Sequence, residues 1–251
     1  MKNKKVFLII QGHTSKCDQM LEKISGLENV IWSTEKTMPQ EDLKKIEAAG
    51  IKLALGDPPS FNGYGNVNIQ VLSTVRGLEL AKSLGATHAI KIRSDLMFKD
   101  PKRFIESYPF DDTIHQMAYI EHTDKCISTV VHYPGIPSWL EEQGYSNIIS
   151  DVSDYNYITD FTNLGPIDEM LSFWDLPEES SVVRIPAEFK FVLRYLKDKG
   201  YEDIKLTYKW LSSVFGFFIS YCKDNENPLI SMKHQIDSDR WLESQDIIFR
   251  G

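Results

Sequence analysis

Between Asn66 and Asp100 the chain reads NVNIQVLSTVRGLELAKSLGATHAIKIRSDLMFKD, and within it the hydrophobic period changes from that of a helix to that of a strand. Val67, Val71, Val75, Leu78, Ala81 and Leu84 recur at helical spacing, and Gly85 supplies the C-terminal stop. From Thr87 to Ser94 the pattern alternates: Ala89, Lys91, Arg93 and Asp95 point one way, and Ile90, Ile92, Ser94 and Leu96 the other. A strand that starts apolar and ends in Arg-Ser-Asp carries its charges at the carboxyl end. In open α/β sheets ligands bind at that end.

The residues before this stretch alternate between strand and helix, without an internal repeat. Lys5 to Ile10 is a continuously apolar strand, as expected of a central parallel strand covered on both faces, and it ends in the small polar turn Gln11-Gly12-His13-Thr14-Ser15. A helix over Cys17 to Ser25, a strand over Asn29 to Ser33, a helix over Glu41 to Ala49 closed by Gly50, and a strand over Ile51 to Leu55 follow. Asp57 to Gly65 is a breaker-rich loop. This β-α-β-α-β-loop-α-β order predicts a mostly parallel central sheet flanked by helices, with right-handed crossovers. Neither phosphate-loop fingerprint, GxGxxG nor GxxxxGK[ST], is present, and Gly63-Tyr64-Gly65 alone reads as an ordinary turn.

The second half is less regular. A short helix follows Pro101, and a strand is expected around Ile114 to Ile120. Residues 121–154, rich in Gly, Pro, Ser and Tyr, read as a long functional loop or an insertion. Tyr157 to Asp160 has the pattern of a strand end. Gly165-Pro166 is expected to open an amphipathic helix through Ile167, Met170, Leu171 and Trp174, and a further helix runs from Pro186 to Lys199-Gly200. From Tyr201 onward the chain is mixed and aromatic. We therefore expect one α/β domain over 1–251, with a nucleotide-binding half (1–100), an acceptor half (101–200) and a C-terminal extension (201–251).

Composition narrows the function classes. The 251 residues carry a formal charge of −8, which argues against nucleic-acid binding but allows a small anionic ligand on a local basic cluster. Cys17, Cys126 and Cys222 show no CxxC spacing, which suits a reducing cytoplasm. The apolar run Val6 to Ile10 is too short for a signal peptide, and no stretch reaches the ~20 apolar residues of a spanning helix. Residues 210–221 come nearest and read as core or as a peripheral membrane contact.

Arg93 and Asp95, two apart on a strand, can reach one ligand together. A carboxylate at a strand end can hold Mg²⁺ or Mn²⁺ shared with substrate phosphates, and the planar fork of Arg matches phosphate oxygens. An internal ion pair that terminates the strand accounts for the spacing equally well. Asn68 and Gln70, near a helix N-terminus, could contact phosphate or ribose. Asn66 has the place of an N-cap. Scattered histidines (His115, His122, His132) have no metal-like spacing.

Asn66-Val-Asn68-Ile-Gln70-Val-Leu-Ser73-Thr74-Val-Arg76-Gly77-Leu followed by Lys91-Ile-Arg93-Ser-Asp95 resembles the WavE-type lipopolysaccharide-synthesis family of bacterial glycosyltransferases. Ile9-Ile10-Gln11-Gly12, Ile31-Trp32-Ser33-Thr34 and Asp160-Phe-Thr-Asn-Leu-Gly165 resemble the same family in the same order. The resemblance implies a GT-A-like fold and transfer of a sugar from a nucleotide-sugar donor. We expect a glycan or lipid-linked glycan of the bacterial surface as acceptor and a cytoplasmic protein, which a lipid-linked acceptor would bring to the inner face of the cytoplasmic membrane. It places the donor near Gln11, Gly12, Asn68, Arg76, Arg93 and Asp95. Asp95 would stand at the last Asp of a DxD metal motif, holding Mn²⁺ or Mg²⁺, but Arg93 occupies the first Asp position. By analogy, His234 could serve as a late metal ligand. A carboxylate must take the proton of the acceptor hydroxyl. Asp160 and Glu188 are the candidates; the alternatives are a turn residue or N-cap for Asp160 and a helix-dipole partner for Glu188. A nucleotidyltransferase, or a catalytically silent sugar- or nucleotide-binding protein, are the competing functions.

Overall fold

The computed structural model describes residues 4–98, 101, 102, 105, 115–117, 149–151, 162–177, 187–205 and 229–231. The first half alternates as the periodicity requires: β1 (Val6–Gln11), α1 (Cys17–Ile24), β2 (Val30–Glu35), α2 (Gln40–Ala48), β3 (Lys52–Gly56), a 3₁₀ turn (Tyr64–Asn66), α3 (Val67–Ser83) and β4 (His88–Arg93). The remaining elements are β5 (Leu96–Phe98), β6 (His115–Met117), β7 (Ile149–Asp151), β8 (Thr162–Pro166), α4 (Ile167–Trp174), α5 (Ala187–Asp198), β9 (Ile204–Lys205) and β10 (Leu229–Ser231).

Six of these strands form one sheet in the order β3-β2-β1-β4-β8-β6. β3, β2, β1 and β4 run parallel, β8 is antiparallel to β4, and β6 is antiparallel to β8. The chain leaves β1 toward β2 and β3, then returns to the opposite flank as β4. The reversal falls between β1 and β4, where an open α/β sheet leaves a crevice at the strand ends.

β1 explains the layering. Phe7 and Ile9 face a core built with α3, α4 and α5, whereas Leu8 and Ile10 face a second core built with α1 and α2. That two-sided burial is why the strand is apolar throughout.

Gly165-Pro166 opens α4 as expected, with Pro166 at its N-cap. The reading lacked the strand before it: Thr162 to Pro166 belongs to the central sheet, with Ile90 opposite Leu164 and Lys91 opposite Asn163. Thr-Asn-Leu-Gly-Pro has a single large apolar residue, so no alternation marks it. Its place is set by pairing with β4 and by the Ile167 N–H donating to the Thr87 carbonyl at 3.0 Å. The expected strand end at 157–160, the loop 121–154 except for β7, and segment 210–221 lie outside the described residues.

α3 lies unusually close to the sheet. A Cβ on Gly77 would stand 2.6 Å from Ile9 Cγ2 and 3.1 Å from Ser33 Cβ. The Ser33 hydroxyl donates to the Ser73 carbonyl, and Arg76 Nη1 to the Thr34 carbonyl at 3.0 Å. Gly77→Ala therefore sets two effects against each other. Helix propensity favours alanine by about 1 kcal/mol, while overpacking a core costs about 1–3 kcal/mol. Because Ile9 belongs to a central strand and cannot yield cheaply, we expect a net loss of about 1–2 kcal/mol, measured by urea denaturation; a stabilised variant would contradict this packing.

Candidate functional site

The crevice at the carboxyl ends of β1, β2 and β4 has a volume of about 500 Å³. Four segments line it: Gln11 to Lys16 apart from Thr14; Thr34 and Glu35 at the end of β2 with Met38 in the loop that follows; Asn66 with the first turns of α3; and Arg93 to Asp95. Segments far apart in the sequence, each carrying part of the pattern quoted above, thus meet at one opening.

The loop after β1 is held from below. Gly12 adopts φ +126°, and a Cβ there would fall 2.7 Å from Ser94 Oγ, so only glycine fits between β1 and β4. Its N–H donates to the Ser33 carbonyl (3.1 Å), and Trp32 Nε1 donates to its carbonyl (3.3 Å). Buried Thr14 turns away from the crevice and donates to Asp42 Oδ2 at 2.7 Å. His13, Ser15 and Lys16 are left on the rim. That hydrogen bond holds the Asp42 carboxyl below its ordinary range, with the Cys17 thiol and Lys45 adding to the effect.

Cys17, buried and 3.4 Å from Asp42 Oδ1, has its thiol pushed up to about 11, first by burial and then by Asp42. The folded state holds this proton more tightly than the unfolded chain. The resulting stabilisation is complete below pH 9 and is lost as the pH rises toward 11. In a Cys126→Ser/Cys222→Ser background we expect Cys17 to resist iodoacetamide at pH 8 until denaturant is added. Rapid alkylation of the folded chain would contradict the anchored loop.

Arg93 is the last residue of β4, and Ser94 and Asp95 form the turn into β5. The two side chains meet through that turn rather than by strand alternation. Nε donates to Asp95 Oδ1 at 2.9 Å and Nη2 to Oδ2 at 2.7 Å, the planar fork facing the carboxylate. At 27% and 29% exposure the pair is neither sealed in the core nor free in solvent. Asp95 thereby sets the plane and direction of the guanidinium at the crevice wall.

Of the residues expected at the ligand, the structure brings together Gln11, Gly12, Arg93 and Asp95. It places two elsewhere. Asn68 is buried, its Nδ2 donating to the Phe61 carbonyl at 2.8 Å and its N–H to the Asn62 carbonyl at 3.0 Å, so it stitches the 57–63 loop to the start of α3. Arg76 lies over Gly56 at the end of β3 and ties α3 to β2, with burial drawing its pKa below the ordinary value. Asn66 has the N-cap position but a left-handed φ of 61°, and its side chain makes no capping bond. Asp160 and His234 lie outside the described residues. Glu188 falls in the first turn of α5, with its side chain likewise outside the description. Gln70, expected at phosphate or ribose, lines the crevice, and so do Glu35, Ser73 and Lys16, which the sequence had not singled out as ligand contacts. Applying the strand-end rule to β2 as well as to β4 would have found Glu35.

Mn²⁺ or Mg²⁺ at Asp95 would need oxygens that Arg93 already engages, and among the described residues no three His, Cys, Asp or Glu side chains cluster as ligands. Nor is any helix among these residues long and apolar enough to cross a membrane.

No protein-family model and no curated protein matches the sequence. Among solved structures, the chain is similar to the structure of a cytidylyltransferase from Leptospira borgpetersenii serovar Hardjo-bovis (strain JB197), at 13% identity and a TM-score of 0.39, over 83% of this chain and 78% of that one. A likeness this weak says nothing of chemistry.

Proposed function

We propose that the chain is a nucleotide-using transferase whose crevice receives a nucleoside diphosphate group, and that the reaction is cytoplasmic sugar transfer from a nucleotide-sugar to a glycan or lipid-linked glycan of the bacterial surface. The observation that carries the reading is the Asp95-oriented guanidinium of Arg93, held at the β1–β4 reversal point of a mostly parallel sheet. Cleaving the bond between the anomeric carbon and the diphosphate oxygen leaves negative charge on the diphosphate. A pre-oriented Arg stabilises that charge without reorganising. Asp160 and Glu188 remain the proposed bases for the acceptor hydroxyl.

Lys16 and His13 on the loop after β1 favour a second reading, nucleotidyl transfer, in which a cationic loop holds the departing pyrophosphate of a nucleoside triphosphate. Calorimetric titration with ADP, GDP, CDP and UDP, with UDP- and CMP-sugars, and with and without Mn²⁺, tests the common premise. If none of them binds, both readings fail. Release of nucleoside diphosphate or monophosphate from a nucleotide-sugar identifies sugar transfer. Pyrophosphate release from a triphosphate plus a sugar phosphate identifies nucleotidyl transfer, and binding without turnover identifies a silent module.

A further inference from the structure

Three residues that line the β1, β2 and α3 side of the crevice carry side-chain oxygens without a hydrogen-bond partner. Gln11 Oε1, Glu35 Oε1 and Gln70 Oε1 are all buried and accept no hydrogen bond. The Gln11 side chain belongs to a residue only 5% exposed. The Gln70 amide is oriented by its Nε2, which donates to the Gly65 carbonyl at 3.1 Å. The second Glu35 oxygen is occupied, accepting from the Thr37 hydroxyl at 3.2 Å. An unsatisfied buried acceptor costs about 1–3 kcal/mol, and native proteins keep few of them. Three around one opening mark a surface built to meet donors.

Sheet order gives this surface a direction. Glu35 ends β2, Gln11 ends β1 and Arg93 ends β4, three adjacent strands. Glu35 and Arg93 thus stand on strands two apart, with Gln11 on the strand between them. A nucleoside diphosphate is polarised in the same sense, with O–H and N–H donors on the nucleoside and anionic oxygens at its other end. A carboxylate at the Glu35 position would repel the phosphates but suits a vicinal diol.

We infer that the β2–α3 end of the crevice is a ribose-reading subsite, in which Glu35 accepts from the ribose diol while Gln70 and Gln11 take the remaining O–H and N–H donors of the nucleoside. The inference rests on the proposed nucleotide function and adds the ligand's direction and its dependence on ribose. It makes Glu35 and Gln70 determinants of specificity, with Arg93 at the diphosphate end.

The test is titration of the whole chain with the four ribonucleoside diphosphates, their 2′-deoxy counterparts and inorganic pyrophosphate, repeated with Glu35→Ala and Gln70→Ala variants that match the parent by circular dichroism. For the ribonucleotide that binds best, we expect the 2′-deoxy form to be about tenfold weaker, Glu35→Ala to weaken it by about tenfold to a hundredfold, and Gln70→Ala by about threefold to tenfold. Pyrophosphate affinity should stay unchanged in both variants. Equal affinity for ribo and deoxy forms, variants that bind the nucleotide like the parent, or equal losses for nucleotide and pyrophosphate would each overturn the subsite while leaving the nucleotide function standing. Absence of binding to any nucleotide would overturn both.

Discussion

Replacing Arg93 with alanine is expected to lower the affinity of the crevice for a nucleoside diphosphate about a hundredfold. That is roughly 2.7 kcal/mol, within the span of one or two charge-assisted hydrogen bonds. Asp95→Asn should cost about tenfold, since the amide keeps the shape of the carboxylate but holds the guanidinium less firmly. The two effects are not additive if Asp95 acts through Arg93. The double variant Arg93→Ala/Asp95→Asn should then bind no worse than Arg93→Ala alone. Calorimetry in Mn²⁺ and in EDTA separates this from a metal-ligand role. A positioning Asp95 gives the same Asp95→Asn loss in both buffers, whereas a metal-holding Asp95 gives the loss only where Mn²⁺ is present. Additive losses would sink the positioning role.

The second large effect lies beneath the site. Trp174 is fully buried on α4, at ring-centroid distances of 4.4 Å from Phe191 and 5.9 Å from Phe173, and the ammonium of fully buried Lys91 stands 4.6 Å from its ring centroid. Lys91 lies on β4 two residues before Arg93, on the same face. Removing the indole leaves a large cavity and takes the π face from a buried cation. Trp174→Ala is expected to lose about 3–5 kcal/mol, a fall in Tm of about 6–20 °C for a chain of this size. Trp174→Phe keeps a ring under the ammonium and should retain more than half of that stability. Equal losses for Phe and Ala would show that the ring contributes volume alone. If Trp174→Ala fails to fold, the comparison of Trp174→Phe with Trp174→Leu still reads the ring's share.

The two halves of the chain differ in how much could be read from the amino acids. β1, β2, β3, α3 and β4 were legible to within a residue or two because each buries a continuous or periodic apolar face. β8 was not, because Asn163 and Gly165 are interior residues without apolar side chains, and only pairing with β4 explains their burial. Asn68 and Arg76 read as ligand contacts because polar residues near a helix start or on a helix face look alike whether they meet solvent, ligand or backbone. Here the 57–63 loop and the end of β2 took them.

Residue pattern by itself determined that the chain would form helices and strands in alternation, that the sheet would be mostly parallel, and that Arg93 and Asp95 would stand at a strand end. These follow from local periodicity and from the chirality of crossovers, which need no partner residue to be known. Only the tertiary structure decided that Asp95 meets Arg93 through a turn, that Gln11, Glu35 and Gln70 come to line one crevice, and that Asn68 bonds to the 57–63 loop. Side-chain contacts between residues tens of positions apart depend on how strand ends and helix starts converge. No local rule carries that information.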